Sequence, residues 1–225
     1  MIWNILPNEA NETIISYAET NDWMFAKHGK NTGQPVNTWQ KDFTKIVLDY
    51  VDNYSTCVDV GSHYGFLTKE FSDIFESVYS FEMNKKVYKC FLKNISDLNN
   101  VKSYNVALYN TQTNELQSTN SNDSGSNKID KHGTVKVKAK TLDSYKLKNL
   151  DLIKIDVQGS ELQVIEGSVE TLTNNNPIVV VEILNQRTYN EFIKNKNTID
   201  LLFSLNYEIV NVVKNDYIFR KKKQQ

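Results

Sequence analysis

A parallel, doubly wound α/β sheet is the fold class this sequence predicts, and three observations predict it. Short apolar runs and segments of helical spacing alternate from Asp42 to Asn105. The run Ile178 to Ile183 is almost wholly apolar, as a central strand buried on both faces should be. A glycine turn, Gly61-Ser62-His63-Tyr64-Gly65, follows the apolar run Cys57 to Val60 directly, and the next such run, Val78 to Phe81, ends on the acid Glu82. A strand that turns on glycine into a helix, beside a neighbour tipped with an acid, is how these sheets build a ligand crevice.

In chain order, residues 1 to 40 mix polar stretches with Trp3, Trp23, Phe25 and Trp39, while Gly29, Gly33 and Pro35 mark irregular backbone. This segment predicts a cap folded onto the domain. Asp42 to Val51 has helical spacing through Phe43, Ile46, Val47 and Tyr50, and the first strand is Thr56 to Val60. A helix from Gly65 to about Phe75 would bury Phe66, Leu67, Phe71 and Ile74; strand Val78 to Phe81 follows, then a helix from Lys85 to Asp97 and strand Val101 to Asn105. Regularity breaks from Asn110 to Gly133, where Ser, Thr, Asn, Asp and Gly dominate, so either an insertion at the ligand edge or a long surface loop is expected. Thr134 to Lys140 alternates Val with Lys as a half-exposed strand, and Thr141-Leu142-Asp143 reads as a turn or cap. Strand Leu152 to Val157, a helix carrying Leu162, Val164, Ile165 and Val169, strand Ile178 to Ile183 and a helix from Tyr189 to Leu205 come next. Tyr207 to Val213 and Asp216 to Arg220 flank Asn215-Asp216, which predicts a hairpin and an antiparallel last pair. Two units result: a cap and helix over residues 1–50 and a main domain over 51–225.

Composition narrows the classes. The chain is 40% apolar and 24% charged with a formal net charge of −1, so no global charge draws it to nucleic acid or anionic lipid. The basic tail Arg220 to Lys223 reads as a solvated terminus. Cys57 and Cys90 lack C-x-x-C spacing, which argues against zinc or a redox pair and fits a reducing compartment. No basic-then-apolar leader opens the chain and no run approaches the roughly 18 apolar residues of a membrane span, so a cytoplasmic protein without membrane association is expected.

Gly61 lets the chain leave a buried strand where a Cβ would obstruct it, and the amides at the start of the following helix suit a carboxylate or phosphate. Glu82 lies about 20 residues past the turn, where an acid accepts hydrogen bonds from ribose hydroxyls. Dinucleotide loops use G-x-G-x-x-G, whereas Gly61 and Gly65 form G-x-x-x-G, so a pyrophosphate is disfavoured. D-x-G-x-x-x-G with a downstream acid resembles the binding loop of S-adenosylmethionine (SAM) methyltransferases, whose ligand carries a ribose and an amino-acid tail.

The stretch Leu150 to Glu161 is the second informative one. Lys154 and Asp156 share a strand face near its carboxyl end, and central strands rarely hold charges unless they are paired or used. Lys154 is read as a structural ion pair with Asp156 or Glu161, or as part of the reacting site. Asp156 ends where doubly wound folds bind ligand and would meet the reacting group.

D-V-G-S-H-Y-G, F-E, N-V-A-L (Asn105 to Leu108), T-L-D, K-I-D-V-Q-G-S-E and P-I-V-V-V-E-I (Pro177 to Ile183) occur in an order and spacing that resembles the FkbM-like methyltransferases over roughly residues 50 to 185. The resemblance implies a Rossmann-like, mostly parallel seven-stranded sheet and SAM-dependent O-methyl transfer, often to hydroxyls of sugars or natural products. Two departures stand out: Ser62 and His63 replace the usual Ala and Asn, and Gln158 replaces the usual Glu. By the resemblance Asp59, Gly61, Ser62, His63 and Gly65 line the methionine side, Glu82 holds the ribose, and Asn105 and Ala107 approach the adenine. His63 could be a base, since an imidazole titrates near about 6.5, but its loop position argues for a cofactor contact.

Methyl transfer needs positioning and removal of a hydroxyl proton. Asp156, Lys154 and Glu182 are the catalytic candidates. An aspartate of ordinary acidity is a poor base at neutral pH, so Asp156 would serve as base, orient the hydroxyl, or join Glu182 and Asn185 around Mg²⁺, the last not favoured. The expected partner is a hydroxylated small molecule or glycan. RNA ribose 2′-O methylation is the alternative, with Lys154, Asp156, Lys194 and Glu182 supplying a Lys-Asp-Lys-Glu set; a SAM-binding module without turnover is the other. Methylation of base amines is disfavoured because Asp156-Val157-Gln158-Gly159 stands where an Asn/Asp-Pro-Pro-aromatic motif would.

Overall fold

The computed structural model describes residues 3–6, 16–19, 38–119, 124–183 and 189–223. Its elements are β1 (Trp3–Leu6), β2 (Ser16–Glu19), α1 (Thr38–Leu48), β3 (Thr56–Val60), α2 (Phe66–Ser72), β4 (Ser77–Phe81), α3 (Lys85–Asn94) and β5 (Val101–Tyr104). There follow β6 (Ala107–Leu108), β7 (Thr113–Ser118), β8 (Val135–Lys140), β9 (Leu150–Ile155), α4 (Glu161–Glu166), α5 (Val169–Asn175), β10 (Ile178–Glu182), α6 (Tyr189–Ser204), β11 (Tyr207–Val213) and β12 (Asp216–Lys221).

Seven strands form the main sheet in the order β11-β12-β10-β9-β3-β4-β5. The five strands from β10 to β5 run parallel, and β12 and β11 are antiparallel, as the Asn215-Asp216 signal predicts. The chain progresses from β3 outward to β5 and then returns to lay β9 on the other side of β3. This reversal makes the point between β3 and β9 a topological switch, and it is at the carboxyl ends of strands at such a point that doubly wound folds take ligands.

Period-two alternation divides the core between the two faces. Val58, Val60, Ile153, Ile155, Val179 and Val181 pack on one face with Val164, Ile165 and Leu172. Cys57, Leu152, Val180 and Ile218 pack on the other with Val47, Leu67 and Phe71. α1 thus shares a core with the sheet through Val47. Both cysteines are buried free thiols.

Three expectations change. The stretch from Asn110 to Gly133 is not all loop, because Thr113–Ser118 pairs antiparallel with β8, and β8 pairs parallel with β6 in a separate three-stranded sheet. The signal was weak, since T-N-E-L-Q-S carries only Leu116 as an apolar residue. The helix after β9 is broken in two: a Cβ on Gly167 would stand 2.1 Å from the Tyr109 carbonyl oxygen, so the approach of 109–110 requires glycine there. β9 also stops at Ile155, leaving Asp156 as the first residue past the strand, with its amide bonded to the Val60 carbonyl.

Of residues 1–37, the described strands β1 and β2 are an antiparallel pair, and β2 lies against α3. Trp23 and Phe25 fall outside the described residues. Among the described residues, no helix is long and apolar enough to cross a membrane.

Candidate active site

The loop after β3 is shaped by proximity. Gly61 has φ +81°, and a Cβ there would stand 1.8 Å from the Asp156 carbonyl oxygen, so the glycine is required both by its conformation and by the contact between the ends of β3 and β9. Gly65, at φ +86°, is also in the left-handed region, and its missing side chain makes room for Phe91 of α3. The amides of the turn that precedes this helix are engaged within the protein. Gly61 and Ser62 both donate to the Phe81 carbonyl, Gly65 donates to Ser62, and His63 donates to Glu82. The loop's unmet polarity is a side chain: the Ser62 hydroxyl is buried without a hydrogen-bond partner. A buried orphan of this kind is costly unless something outside the protein satisfies it.

Glu82 is held at the tip of β4 by two amides, one per carboxylate oxygen: His63 N–H at 3.0 Å and Asn84 N–H at 2.6 Å. A carboxylate has about four acceptor positions, so two remain for a pair of hydroxyl donors. Asn105 donates its amide to the Glu82 and Met83 carbonyls, which fixes the turn carrying the acid. Ala107 packs against Val137 and Ala139 in the core of the small sheet. The His63 ring lies 4.1 Å from that of buried Tyr64, centroid to centroid.

Asp59 points inward, accepting a 2.6 Å hydrogen bond from the Thr68 hydroxyl, which also meets Ser80. The register sets Asp59 beside Lys154 and Glu182 beside Asp216. Lys154 is buried, and its ammonium bonds Asp216 at 2.7 Å; the expected partners, Asp156 and Glu161, are not the ones it bonds. Glu161 turns back to accept the amides of Gly159 and Val157, pinning the bend after β9. Burial pushes Lys154 down, but Asp156, Asp216 and Glu182 outweigh it and hold the ammonium above its ordinary value.

Past the strand ends, Gln158 donates one amide hydrogen to Asp156 at 2.8 Å and the other to Glu182 at 3.0 Å. Lys194 is exposed on α6, so the Lys-Asp-Lys-Glu set is not gathered around Lys154. Asn185 lies outside the described residues. Among the described residues no group of three or more His, Cys, Asp or Glu is placed to hold a metal, and between Asp156 and Glu182 stands an N–H donor.

Burial lifts three of these carboxyls: Asp59 to about 6, Glu82 to about 7 and Glu182 to about 8, with the charge of Asp156 adding to each. The site is therefore a concentration of acid groups short of positive charge, which suits a cationic ligand. Each raised value means that the folded protein holds its proton to higher pH than the unfolded chain does. Stability from these groups is full below about pH 4 and is lost as pH rises through 6 to 8. The ligand-free protein is expected to be about 2 kcal/mol more stable at pH 6 than at pH 8, read by urea unfolding.

Lys154→Met removes the buried cation from among Asp59, Asp156, Glu182 and Asp216. It should cost about 3 kcal/mol at neutral pH, read as a lower denaturation midpoint, with part of the loss recovered at pH 5.5 where the acids can protonate.

Thr68, Ser80, Asp216 and Gln158 were not singled out by the sequence as site residues. Asp216 lay in a turn signal, and only the antiparallel register carries it across to Lys154.

A model for the methyltransferase FkbM domain matches residues 59–209. The chain belongs to this family. Among solved structures, this FkbM-domain chain is similar to an FkbM methyltransferase from Methylobacillus flagellatus (14% identity, 74% of this chain and 43% of that one, TM-score 0.48). It is also similar to Aeropyrum pernix fibrillarin with natively bound SAM (14%, 76% and 67%, TM-score 0.47) and to an rRNA methylase from Streptococcus thermophilus (10%, 80% and 94%, TM-score 0.49). The chain spans under half the length of the M. flagellatus protein. No curated protein matches it significantly.

Proposed function

We propose that this FkbM-domain chain transfers a methyl group from SAM to a hydroxyl of a carbohydrate-like or small hydroxylated acceptor. The observation that carries the reading is the pairing of a clamped Glu82, with two acceptor positions left, and the orphaned Ser62 hydroxyl, in a crevice of acid groups. Such a site fits a ligand with a free ribose, a polar tail and positive charge. SAM supplies an activated methyl group on a sulfonium. Glu82 takes the ribose, Ser62 a polar atom of the tail, and His63 and Gly61 shape the loop around it. Asn105 acts through its hold on the Glu82 turn, and Ala107 gives the adenine side a small apolar wall.

At the reacting end, Asp156 and Glu182 face the acceptor hydroxyl, and Lys154 stands behind them as the buried counter-charge. The acceptor is proposed to be a hydroxylated small molecule or glycan rather than RNA, at a cytoplasmic site without membrane attachment.

The test joins binding to turnover. SAM should raise the melting temperature, and tritiated methyl from SAM should enter the glycan or small-molecule fraction of a native lysate. Label in the RNA fraction would replace this acceptor class with ribose 2′-O methylation. Binding without S-adenosylhomocysteine formation would leave a cofactor-binding module, and no thermal shift would end the reading.

A further inference from the structure

The bend after β9 contains a device that the proposed reaction leaves unexplained. Gln158 has φ +56° and is followed by Gly159 at φ +104°, so two successive residues occupy the left-handed region, the first without being glycine. Glu161 pins this bend through the amides of Val157 and Gly159. The strained turn presents one side chain amide, and both of its N–H groups go to carboxylates: Asp156 Oδ1 at 2.8 Å and Glu182 Oε2 at 3.0 Å. The amide carbonyl can only accept, so this orientation is the one that two carboxylates dictate.

We propose that Glu182 is the group that takes the proton from the acceptor hydroxyl, and that Gln158 is the positioning residue that holds Glu182 against Asp156 in the geometry for doing so. The inference rests on the hydroxyl-methylation reading above.

Among the described residues, the charged groups that act on Glu182 are Asp156, which follows β9, Lys154 on β9 and Asp216, which opens β12. Lys154 is already bound to Asp216, leaving one neutral amide to serve two acids. A pair so placed holds a proton between its members. Burial, then the charge of Asp156 and a hydrogen bond to it, puts that proton on Glu182 and lifts its carboxyl to about 8. That value lies near the range where a carboxylate is an effective base at physiological pH.

Arrival of a sulfonium in this acid-rich crevice favours the ionised pair. When the acceptor oxygen forms its bond to the methyl carbon, the carbon–sulfur bond breaks and its electron pair stays on sulfur. The hydroxyl proton passes to Glu182, which returns it to water. Among the described residues, chain neighbours aside, no atom lies within 4 Å of where a Cβ on Gly159 would stand.

The test has two readouts. Carbon-13 NMR of the protein labelled at glutamate carboxyls, without ligand, should show Glu182 titrating above pH 7 and moving down in Asp156→Asn. A midpoint below about 5.5 would overturn the proposal. With tritiated SAM and the acceptor-bearing lysate fraction, Glu182→Gln should lower kcat at least about tenfold while melting like the wild type, and should abolish the rising acid limb of the pH–rate profile. A loss under tenfold, or the limb persisting at the same pH, would overturn it.

Gln158→Met removes both donors from the acids and should move the limb up by about one pH unit; an unmoved limb would remove Gln158 from the role. If the wild type binds no SAM, the underlying reading fails, while the NMR titration still reports where the proton sits.

Discussion

Gly61→Ala should destabilise the protein by at least about 3 kcal/mol and abolish SAM binding, because the new methyl would stand 1.8 Å from the Asp156 carbonyl oxygen. The obstacle is backbone at the end of a central strand and cannot rotate away. Relief requires the β3 loop to move off β9, and that loop carries Ser62, holds Glu82 through His63, and lies between the proposed ribose and reacting ends. Gly159→Ala is the control. Its φ of +104° is equally unsuited to a side chain, but its Cβ would meet nothing within 4 Å. It should cost only the conformational strain, about 1–2 kcal/mol, and leave SAM affinity unchanged. Urea unfolding and isothermal titration of the two variants separate a clash from a dihedral preference. Equal losses would show that the contact between loop and strand is not what requires glycine at 61.

The second large effect is on turnover. Asp156→Asn keeps the side chain's shape but removes a charge that acts on Asp59, Glu82 and Glu182 together. kcat should fall about 100-fold, the scale of losing one well-placed polar group in proton transfer. All three remaining acids should become easier to ionise, since a like charge has gone. SAM affinity should therefore persist to lower pH in the variant, by up to about one pH unit, because Glu82 stays an acceptor further into acid. Single-turnover rates and a pH series of SAM titrations measure the two halves. A fall in rate with no change in the pH dependence of binding would mean that the acids do not feel Asp156 as a charge.

How far the site was legible depends on how far each interaction reaches along the chain. The strands Thr56–Val60 and Tyr207–Val213 were readable with their bounds, and the β12 hairpin with its sense, because apolar run length and turn chemistry are local properties. Glu82 was readable because its distance from the glycine turn is set by one strand-helix-strand unit. β7 was missed because its polar residues gain strand structure only from pairing with β8, a long-range gain that local composition does not register. Lys154 was correctly flagged as a charge needing a partner. Its partner could not be named, since Asp216 comes beside it only after β12 has paired with β10 and β10 with β9. That the turn amides of Gly61, Ser62 and His63 are consumed by Phe81 and Glu82 was not legible for a related reason: it follows from the packing of two strand ends, not from the loop's own sequence.

By itself, the sequence determined the class of sheet, the family resemblance and the acids carried near the strand ends, because periodicity, glycine and spacing act within one element or one unit. Only the tertiary structure decided what those acids do to one another. Whether a carboxyl is clamped by two amides, accepts an N–H from Gln158, or answers a buried lysine depends on desolvation and on distances of 2.6–3.0 Å between residues as much as 62 positions apart. Such distances are set by strand register and packing, and pKa follows from them, so the chemistry of this site lies in contacts that the linear order does not contain.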